Sequence, residues 1–234
     1  MSLRLAVFAS GSGTNLQSLI DNFQTRTDPP VRVVLVISDR STAGALERAR
    51  SAGIEAVAIN VAGRPIDYVA RELLAALASA DVDLIALAGY LRMVPPAVVR
   101  HYRQRIINIH PALLPAFGGK GMFGLRVHRA VIESGATVSG VTVHLVDENY
   151  DEGQIIAQWP VPVLPSDTAE TLADRVLRAE HLLYPAAVEA VARRFEQHQP
   201  LTRLGASLHS SAFNYMVNHD RPEVSDVRRA LGLE

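Results

Sequence analysis

The stretch that decides the fold is IINIHPALLP, residues 106–115. Its β-branched start is typical of a buried strand, which the two prolines end. Residues two apart on a strand point to the same side, so Asn108 and His110 share one face. At the carboxyl end of a parallel strand, that face borders the crevice in which open α/β sheets bind ligands. An isolated Asn-x-His is more often a satisfied polar pair that closes a strand, but motifs elsewhere in the chain favour the functional interpretation.

Strand and helix patterns alternate through the first half of the chain. This alternation predicts right-handed crossovers and therefore a doubly wound, mostly parallel α/β sheet, Rossmann-like in its N-terminal half. The predicted strands cover residues 3–9, 31–37, 54–59, 82–88 and 106–110, and the predicted helices cover 16–23, 41–53, 68–80 and 96–102.

After Pro115 the pattern changes. Residues 139–146 alternate between two faces, which predicts a half-buried strand with antiparallel or edge pairing, and a second strand is expected over 155–163. The glycine-rich segment 117–124 is too flexible for an element and lies where a mobile lid could sit. Helices are expected over 127–133, over 169–194 with a break or bend near the proline at position 185, and over 223–231.

Composition excludes several classes of protein. The 234 residues are 48% hydrophobic and 20% charged, as in ordinary globular proteins, and the net charge of −1 gives no reason to expect a nucleic-acid partner. The absence of cysteine excludes disulfides, a thiolate nucleophile and Cys-based metal sites. No apolar run reaches the length of a membrane span, and the histidines lack metal-ligand spacing. We therefore expect a cytoplasmic protein with no membrane partner and no metal.

A glycine turn, SGSGTN at residues 10–15, joins the first predicted strand to a helix. Glycines let backbone N–H groups approach an anion, and the helix N-terminus adds partial positive charge. The third glycine of a dinucleotide fingerprint is replaced by Leu16, and the lysine of a P-loop is missing. The turn therefore predicts a site for a single phosphate. A tight turn capped by Ser and Thr side chains is the equally weighted alternative.

Five separated motifs occur in order along the chain. They are SGSGTNLQ at 10–17, AGYLRMVP at 88–95, NIHPALLP at 108–115, SGVTVHLVDENYDEGQIIAQ at 139–158 and AEHLLYP at 179–185. Together they resemble the glycinamide ribonucleotide formyltransferase family, the folate-dependent enzymes of purine biosynthesis. The resemblance covers about residues 3–197.

The resemblance implies a catalytic triplet of Asn108, His110 and Asp151. In the implied reaction, the amine of 5′-phosphoribosylglycinamide attacks the formyl carbon of 10-formyltetrahydrofolate, and negative charge develops on the formyl oxygen. Donors from Asn108 and His110 can stabilise that oxyanion. Asp151, with a water molecule and His110, can move the proton from the amine to the leaving nitrogen.

The resemblance also assigns the remaining candidate residues. Ser12, Gly13, Thr14 and Asn15 bind the substrate phosphate, and Glu180 contacts the substrate, with a solvated helix carboxylate as the alternative. Arg92, Met93 and Val94 form the folate pocket together with Asn108 and Asp151. Asp39 is interpreted as a cap. Arg126 stands at a family histidine position; it either meets phosphate or the folate tail or is a solvated surface residue.

We expect one formyltransferase domain over residues 1–197, followed by a C-terminal extension over 198–234. The domain comprises a phosphate-binding half, 1–105, and a catalytic and folate-binding half, 106–197. The expected partners are small molecules, and the sequence leaves a monomer and a homodimer open. A hydrolytic deformylase and a nucleotide-binding module without chemistry are the two alternatives. A deformylase has no phosphorylated acceptor to hold, so the turn at 12–15 separates it from the transferase.

Overall fold

The computed structural model describes residues 2–201, 204 and 223–233. Most of the expected C-terminal extension, including residues 205–222, lies outside the described residues. A seven-stranded sheet has the order β3-β2-β1-β4-β5-β6-β7. Its strands are β1 (Leu3–Phe8), β2 (Val31–Ser38), β3 (Glu55–Ala58), β4 (Leu84–Leu87), β5 (Ile106–His110), β6 (Val138–Leu145) and β7 (Ile155–Pro162). The helices are α1 (Thr14–Phe23), α2 (Gly44–Ser51), α3 (Ile66–Ser79), α4 (Pro96–His101), α5 (Leu125–Glu133), α6 (Ala169–Glu196) and α7 (Val224–Ala230).

The chain divides into two compact units, the first comprising residues 1–108 and 146–148. Strand β1 pairs in parallel with β2 and β4, and β2 pairs in parallel with β3. Residues 5–8 are fully buried, as expected for a strand covered on both faces. One face packs on α3 and α4 through Leu73, Leu77 and Val98. The prediction of a parallel, doubly wound sheet is confirmed for this part of the chain.

The second unit comprises residues 109–145 and 149–234. Strands β6 and β7 are antiparallel, which confirms the predicted change of pairing in the C-terminal half. The predicted half-burial of β6 is wrong, because Thr142 and His144 on its second face are also buried. The Thr142 hydroxyl donates to the carbonyl of Ala112 at 2.7 Å and accepts from the N–H of Leu114 at 3.0 Å. The segment after β5 therefore covers the face expected to be solvated.

Helix α6 runs through Pro185 without interruption, so the predicted break is wrong, whereas a bend at this position stays a prediction. Tyr184, Pro185 and the neighbouring alanines are buried, so packing against the rest of the second unit can offset the hydrogen bond that proline removes. The final helix is confirmed as α7. Arg228 of α7 donates to the buried carboxylate of Glu189 on α6 at 2.9 Å.

In the part of the chain that the structure describes, no helix is both long enough and apolar enough to cross a membrane. The same residues contain no group of three or more His, Cys, Asp or Glu side chains placed to hold a metal ion.

Candidate active site

In the first unit, the glycine turn leaves the carboxyl end of β1 and enters α1. Gly13 has a φ of 77°, and a Cβ there would lie 2.7 Å from the Cα of Ala45, so both the backbone conformation and the packing require glycine. The alternative of Ser and Thr caps is wrong, because no side chain among the described residues caps α1. The Ser10 hydroxyl instead accepts from the N–H of Leu91 at 2.9 Å.

The backbone donors of this turn are available to a ligand. The N–H groups of Gly11, Ser12 and Gly13 have no acceptor within the described residues, and Gly11 and Ser12 are exposed. Successive unpaired N–H groups beside a helix N-terminus suit an oxyanion such as phosphate. The geometry is therefore consistent with the predicted single-phosphate site.

The segment that follows β4 is anchored by side chains from neighbouring strand ends. The Nε of Arg92 donates to the Oδ2 of Asp39 at 2.9 Å, and the side chain of Asp39 is fully buried. Asp39 is thus the partner of Arg92, and its interpretation as a cap is wrong; α2 begins after Ala43 with no side-chain cap. Met93 is exposed and Val94 is buried.

Tyr90 lies in the same segment and stacks edge-on against Phe8, with ring centroids 5.3 Å apart. Its burial, together with the charge of Asp39, raises the pKa of the Tyr90 hydroxyl, and Arg92 partly opposes this rise. The hydroxyl is therefore neutral at physiological pH. It has no hydrogen-bond partner within the described part of the chain.

In the second unit, two imidazoles approach one carboxylate. The Nδ1 of His110, at the end of β5, lies 3.7 Å from the Oδ2 of Asp151. The Nε2 of His144, on β6, lies 3.5 Å from the Oδ1 of the same residue. His110 is only 3% exposed and His144 only 2%. The structure therefore brings together two residues of the predicted triplet and adds a histidine that the sequence analysis did not select.

The loop after β5 positions these groups through its backbone. The Nε2 of His110 lies 2.9 Å from the carbonyl oxygen of Phe117, and the N–H of Gly119 donates to the Oδ2 of Asp151 at 2.8 Å. Gly118 lies between them, and a Cβ there would come within 2.5 Å of the Cδ2 of Leu114 and 3.2 Å of the Cβ of Asp151, so a larger residue would require the Leu114 side chain to move. As predicted, this segment forms neither helix nor strand. Its role as a mobile lid stays a prediction.

The electrostatic environment keeps the two central groups in different states. Burial lowers the pKa of His110, although the charge of Asp151 and the carbonyl of Phe117 oppose this effect. Burial alone would raise the pKa of Asp151, but hydrogen bonds from His144 and from Gly119 outweigh it, and the net pKa is lowered. At neutral pH an ionised carboxylate therefore faces a neutral imidazole at His110.

His128, on α5, is a further buried histidine near this cluster. Burial lowers its pKa to about 4, and the proximity of His110 adds to the effect. Its Nδ1 has no hydrogen-bond partner among the described residues. Arg126, two residues earlier, is exposed, and its guanidinium lies 5.1 Å from the ring centroid of Phe123.

The other predicted site residues lie in separate parts of the chain. Glu180 on α6 is 7% exposed, so it is not a solvated helix carboxylate. Burial, together with the charge of Glu180, raises the pKa of Tyr184. Asn108 is partly buried and lies on β5 two residues before His110, opposite Leu87 of β4. Asn108 belongs to the first unit, as do residues 12–15 and 92–94, whereas His110, Asp151 and Glu180 belong to the second.

These features define an α/β protein with polar side chains at the carboxyl ends of parallel strands, the usual location of ligand sites in this architecture. Residues 3–188 match the family described as formyl transferase. The chain therefore belongs to the formyl transferase family.

Named relatives agree with this assignment. The chain is 46% identical over 192 residues to the chloroplastic phosphoribosylglycinamide formyltransferase of Arabidopsis thaliana, covering 80% of this chain and 65% of the relative. The protein of the same name from Vigna unguiculata is 46% identical over 189 residues, covering 80% of this chain and 60% of the relative. The chain thus spans less than two thirds of the length of these plant proteins. The crystal structure of glycinamide ribonucleotide transformylase 1 from Symbiobacterium toebii is 44% identical, with a TM-score of 0.76, covering 82% of this chain and 88% of that one.

Proposed function

We propose that this protein transfers the formyl group of 10-formyltetrahydrofolate to the amine of 5′-phosphoribosylglycinamide, a step of purine biosynthesis. The observation that carries the proposal is the contact between His110 and Asp151, which places a neutral imidazole beside an ionised carboxylate. Membership of the formyl transferase family supports the reaction class. The names of the relatives support the choice of acceptor.

In the proposed reaction, Asn108 and His110 stabilise the formyl oxygen by donating hydrogen bonds to it. The Nε2 of His110 is 2.9 Å from the Phe117 carbonyl oxygen, so a donor at this nitrogen is already directed at an oxygen atom. A formyl oxygen that takes the place of the Phe117 carbonyl would accept the same N–H. Each donor aimed at a developing oxyanion contributes roughly 10²–10³ in rate.

Proton transfer falls to Asp151 and His110. The attacking amine must lose a proton when its nitrogen bonds to the formyl carbon, and the N10 nitrogen of the folate must gain one when the carbon–N10 bond breaks. Asp151 is ionised at neutral pH and accepts a proton through a bound water molecule. His110 is neutral and adjacent to this carboxylate, so it relays the proton toward the leaving nitrogen.

The substrates are held by the remaining candidate residues. The backbone N–H groups at residues 12–15 bind the acceptor's phosphate, and Glu180 binds its amine or ribose. The segment 92–94 binds the folate through its backbone polar groups, and Asn108 and Asp151 are the other proposed folate-binding residues. The proposed reaction needs no metal ion.

The proposal is tested by following tetrahydrofolate release from 10-formyltetrahydrofolate with and without 5′-phosphoribosylglycinamide. We expect turnover only when the ribonucleotide is present. Turnover without the ribonucleotide would identify a deformylase instead. No turnover in either mixture, from folded protein and intact cofactor, would overturn the proposal and leave a binding module.

A further inference from the structure

We propose that Arg48 is a positioning residue for phosphate recognition, because it turns a peptide unit of the glycine turn so that its N–H group faces the phosphate. This inference rests on the proposed function, which assigns the acceptor's phosphate to residues 12–15. Neither the motif at 10–17 nor the predicted site residues include Arg48.

Arg48 lies on α2 and contacts the turn at two points. Its Nε donates to the carbonyl oxygen of Ser12 at 2.8 Å, and its Nη1 donates to the Oε1 of Gln17 at 3.0 Å. Ser12 precedes α1 and Gln17 lies in its first turns. One guanidinium therefore links the last part of the turn to the helix that follows it. These residues, with Gly44 and Ser51, line one open pocket of about 600 Å³.

A second contact from α2 acts on the preceding peptide unit. The N–H of Ala45 donates to the carbonyl oxygen of Gly11 at 3.1 Å. Two successive carbonyl groups of the turn, those of Gly11 and Ser12, are thus directed at α2. Both acceptor positions are set by the same helix, one through its backbone and the other through the Arg48 side chain.

Because the peptide unit is planar and trans, these contacts to the carbonyl groups also fix the direction of the backbone N–H groups of the turn. In a trans peptide unit, the C=O and the N–H of the next residue point in opposite directions. Because the carbonyl of Gly11 faces α2, the N–H of Ser12 points away from α2. The carbonyl of Ser12 faces Arg48, so the N–H of Gly13 also points away. These two N–H groups have no acceptor in the described residues. An anion on the side of the turn away from α2 would accept hydrogen bonds from both of them.

Packing shows why the Ser12 carbonyl depends on a side chain. The turn lies directly on α2, since a Cβ on Gly13 would be 2.7 Å from the Cα of Ala45 and a Cβ on Gly44 would be 3.2 Å from the oxygen of Ser12. Steric contact fixes the position of the turn, but Ser12 itself is exposed. Without Arg48, only solvent would hold the Ser12 carbonyl in this direction.

The chemistry of the side chain explains why an arginine stands here. Its planar guanidinium presents Nε and Nη1 at a fixed separation, which suits two acceptors in different residues. A lysine ammonium at this position can satisfy one acceptor at a time and holds neither in a fixed direction. A lysine variant therefore keeps the positive charge but loses the orientation of the turn.

The test compares phosphorylated and dephosphorylated acceptors in formyl-transfer assays. In Arg48→Gln, we expect the KM for 5′-phosphoribosylglycinamide to rise about tenfold, the effect of losing one to two charge-assisted hydrogen bonds. The kcat and the KM for the folate should stay within about twofold. The preference in kcat/KM for the phosphorylated over the dephosphorylated acceptor should fall about tenfold.

Three further variants separate positioning from charge and from folding. Arg48→Lys should lose most of the phosphate preference although its charge is retained. Gln17→Leu removes only the second acceptor and provides a milder perturbation if Arg48→Gln folds poorly. Arg50→Gln is the matched control, because Arg50 is an exposed arginine of the same helix and its ion pair with Glu47 is long, at 3.9 Å. Thermal melting of each variant, with and without inorganic phosphate, reports on folding and anion binding independently of turnover.

Each result decides between positioning and a general structural role. An equal loss of kcat/KM with both acceptors, or an unchanged phosphate preference in Arg48→Gln, would overturn the inference while leaving the proposed function intact. Full retention of the preference in Arg48→Lys would overturn the orientation argument in favour of charge alone. Wild-type protein that shows no transfer to the phosphorylated acceptor would overturn the proposed function itself.

Discussion

The glycine turn and the buried histidine cluster present polar groups in opposite ways. In the turn, Gly11 and Ser12 are exposed, and the groups offered are backbone N–H groups, which do not depend on the side chains of these two residues. The cluster around Asp151 offers side chains, of which the two imidazoles are almost fully buried, and its ion-pair contacts depend on residue type. Under the proposed function, binding of the phosphate and chemistry on the formyl group therefore use separate kinds of interaction. Substitutions should therefore have small effects at the turn and large effects in the cluster.

The largest expected effect is that of His110→Ala. The variant loses both the donor directed at an oxygen acceptor and the partner of Asp151, so kcat should fall roughly 10³-fold. The KM for the acceptor should change little, because the turn is not altered. Steady-state kinetics with both substrates check this result. Turnover within a few-fold of wild type would show that the cluster is only structural.

His128 tests the electrostatic consequence of burial in the same unit. Its pKa is about 4, against an unperturbed value of about 6.5, so below pH 6.5 the unfolded chain binds a proton that the folded protein does not. The stability associated with His128 is therefore present above pH 6.5 and is lost as the pH falls toward 4. The total loss is about 3 kcal/mol, from 1.36 kcal/mol per pKa unit.

His128→Asn should remove this part of the pH dependence. Urea unfolding at pH 7 and pH 4.5 measures how much the free energy of unfolding changes with pH in wild type and in the variant. The other histidines are the same in both proteins, so their contribution cancels in the comparison. A variant whose free energy of unfolding falls with pH as steeply as that of wild type would contradict the assignment.

Asp151→Asn should reduce kcat about 10²-fold. The amide oxygen can still accept from the N–H of Gly119, so the loop geometry is retained, but the negative charge beside His110 is lost. Because that charge opposes the effect of burial on His110, the pKa of His110 should fall further in the variant. Titration of the His110 ring by NMR in both proteins measures the shift. An unchanged or raised pKa would contradict the described electrostatics.

Asp39→Asn tests the segment after β4. Loss of the carboxylate removes the ion pair with Arg92, so we expect a rise of about threefold to tenfold in the KM for the folate. The KM for the acceptor should be unaffected. The exposed pair of Arg64 and Glu72 provides a control, because Glu72→Gln breaks an ion pair of similar length at the surface. An equal rise in the KM for the folate in Glu72→Gln would show that the pair of Asp39 and Arg92 has no specific role in folate binding.

The smallest effect is expected for Ser12→Ala. The proposed interaction uses the N–H and the carbonyl of Ser12, and both are kept in the variant. The KM for the acceptor should change less than about threefold, the loss of one exposed hydroxyl contact. A loss as large as that expected for Arg48→Gln would show that the hydroxyl, not the backbone, carries recognition.

Local patterns were sufficient to predict the parallel strands and the glycine turn after β1. Strand β5 is predicted correctly because the β-branched run at 106–109 itself favours an extended conformation. The turn after β1 is predicted correctly because the glycines at 11 and 13 themselves favour a turn. Antiparallel pairing in the C-terminal half followed from alternation at 139–146 in the same way. These features depend on residues that are neighbours in the chain.

Contacts between distant residues could not be predicted from these patterns. Alternation put His144 on the second face of β6, but it could not show that the loop after β5 buries that face and places Asp151 beside it. The polar residues Thr142 and His144 on the second face of β6 were the available signal. The partnership of Asp39 with Arg92 and that of Arg48 with Ser12 span 53 and 36 residues, and neither has a sequence signature.

The central claim is that recognition of the phosphate and transfer of the formyl group are separate tasks of this chain. The most direct measurement is the kcat/KM of wild type and His110→Ala with phosphorylated and dephosphorylated acceptors. We expect His110→Ala to lower both kcat/KM values by the same factor, roughly 10³, and to leave their ratio within about twofold of wild type. Two results would contradict the separation of the two tasks. The first is a large fall in the ratio of the two kcat/KM values together with the loss of activity, and the second is activity that is retained in His110→Ala.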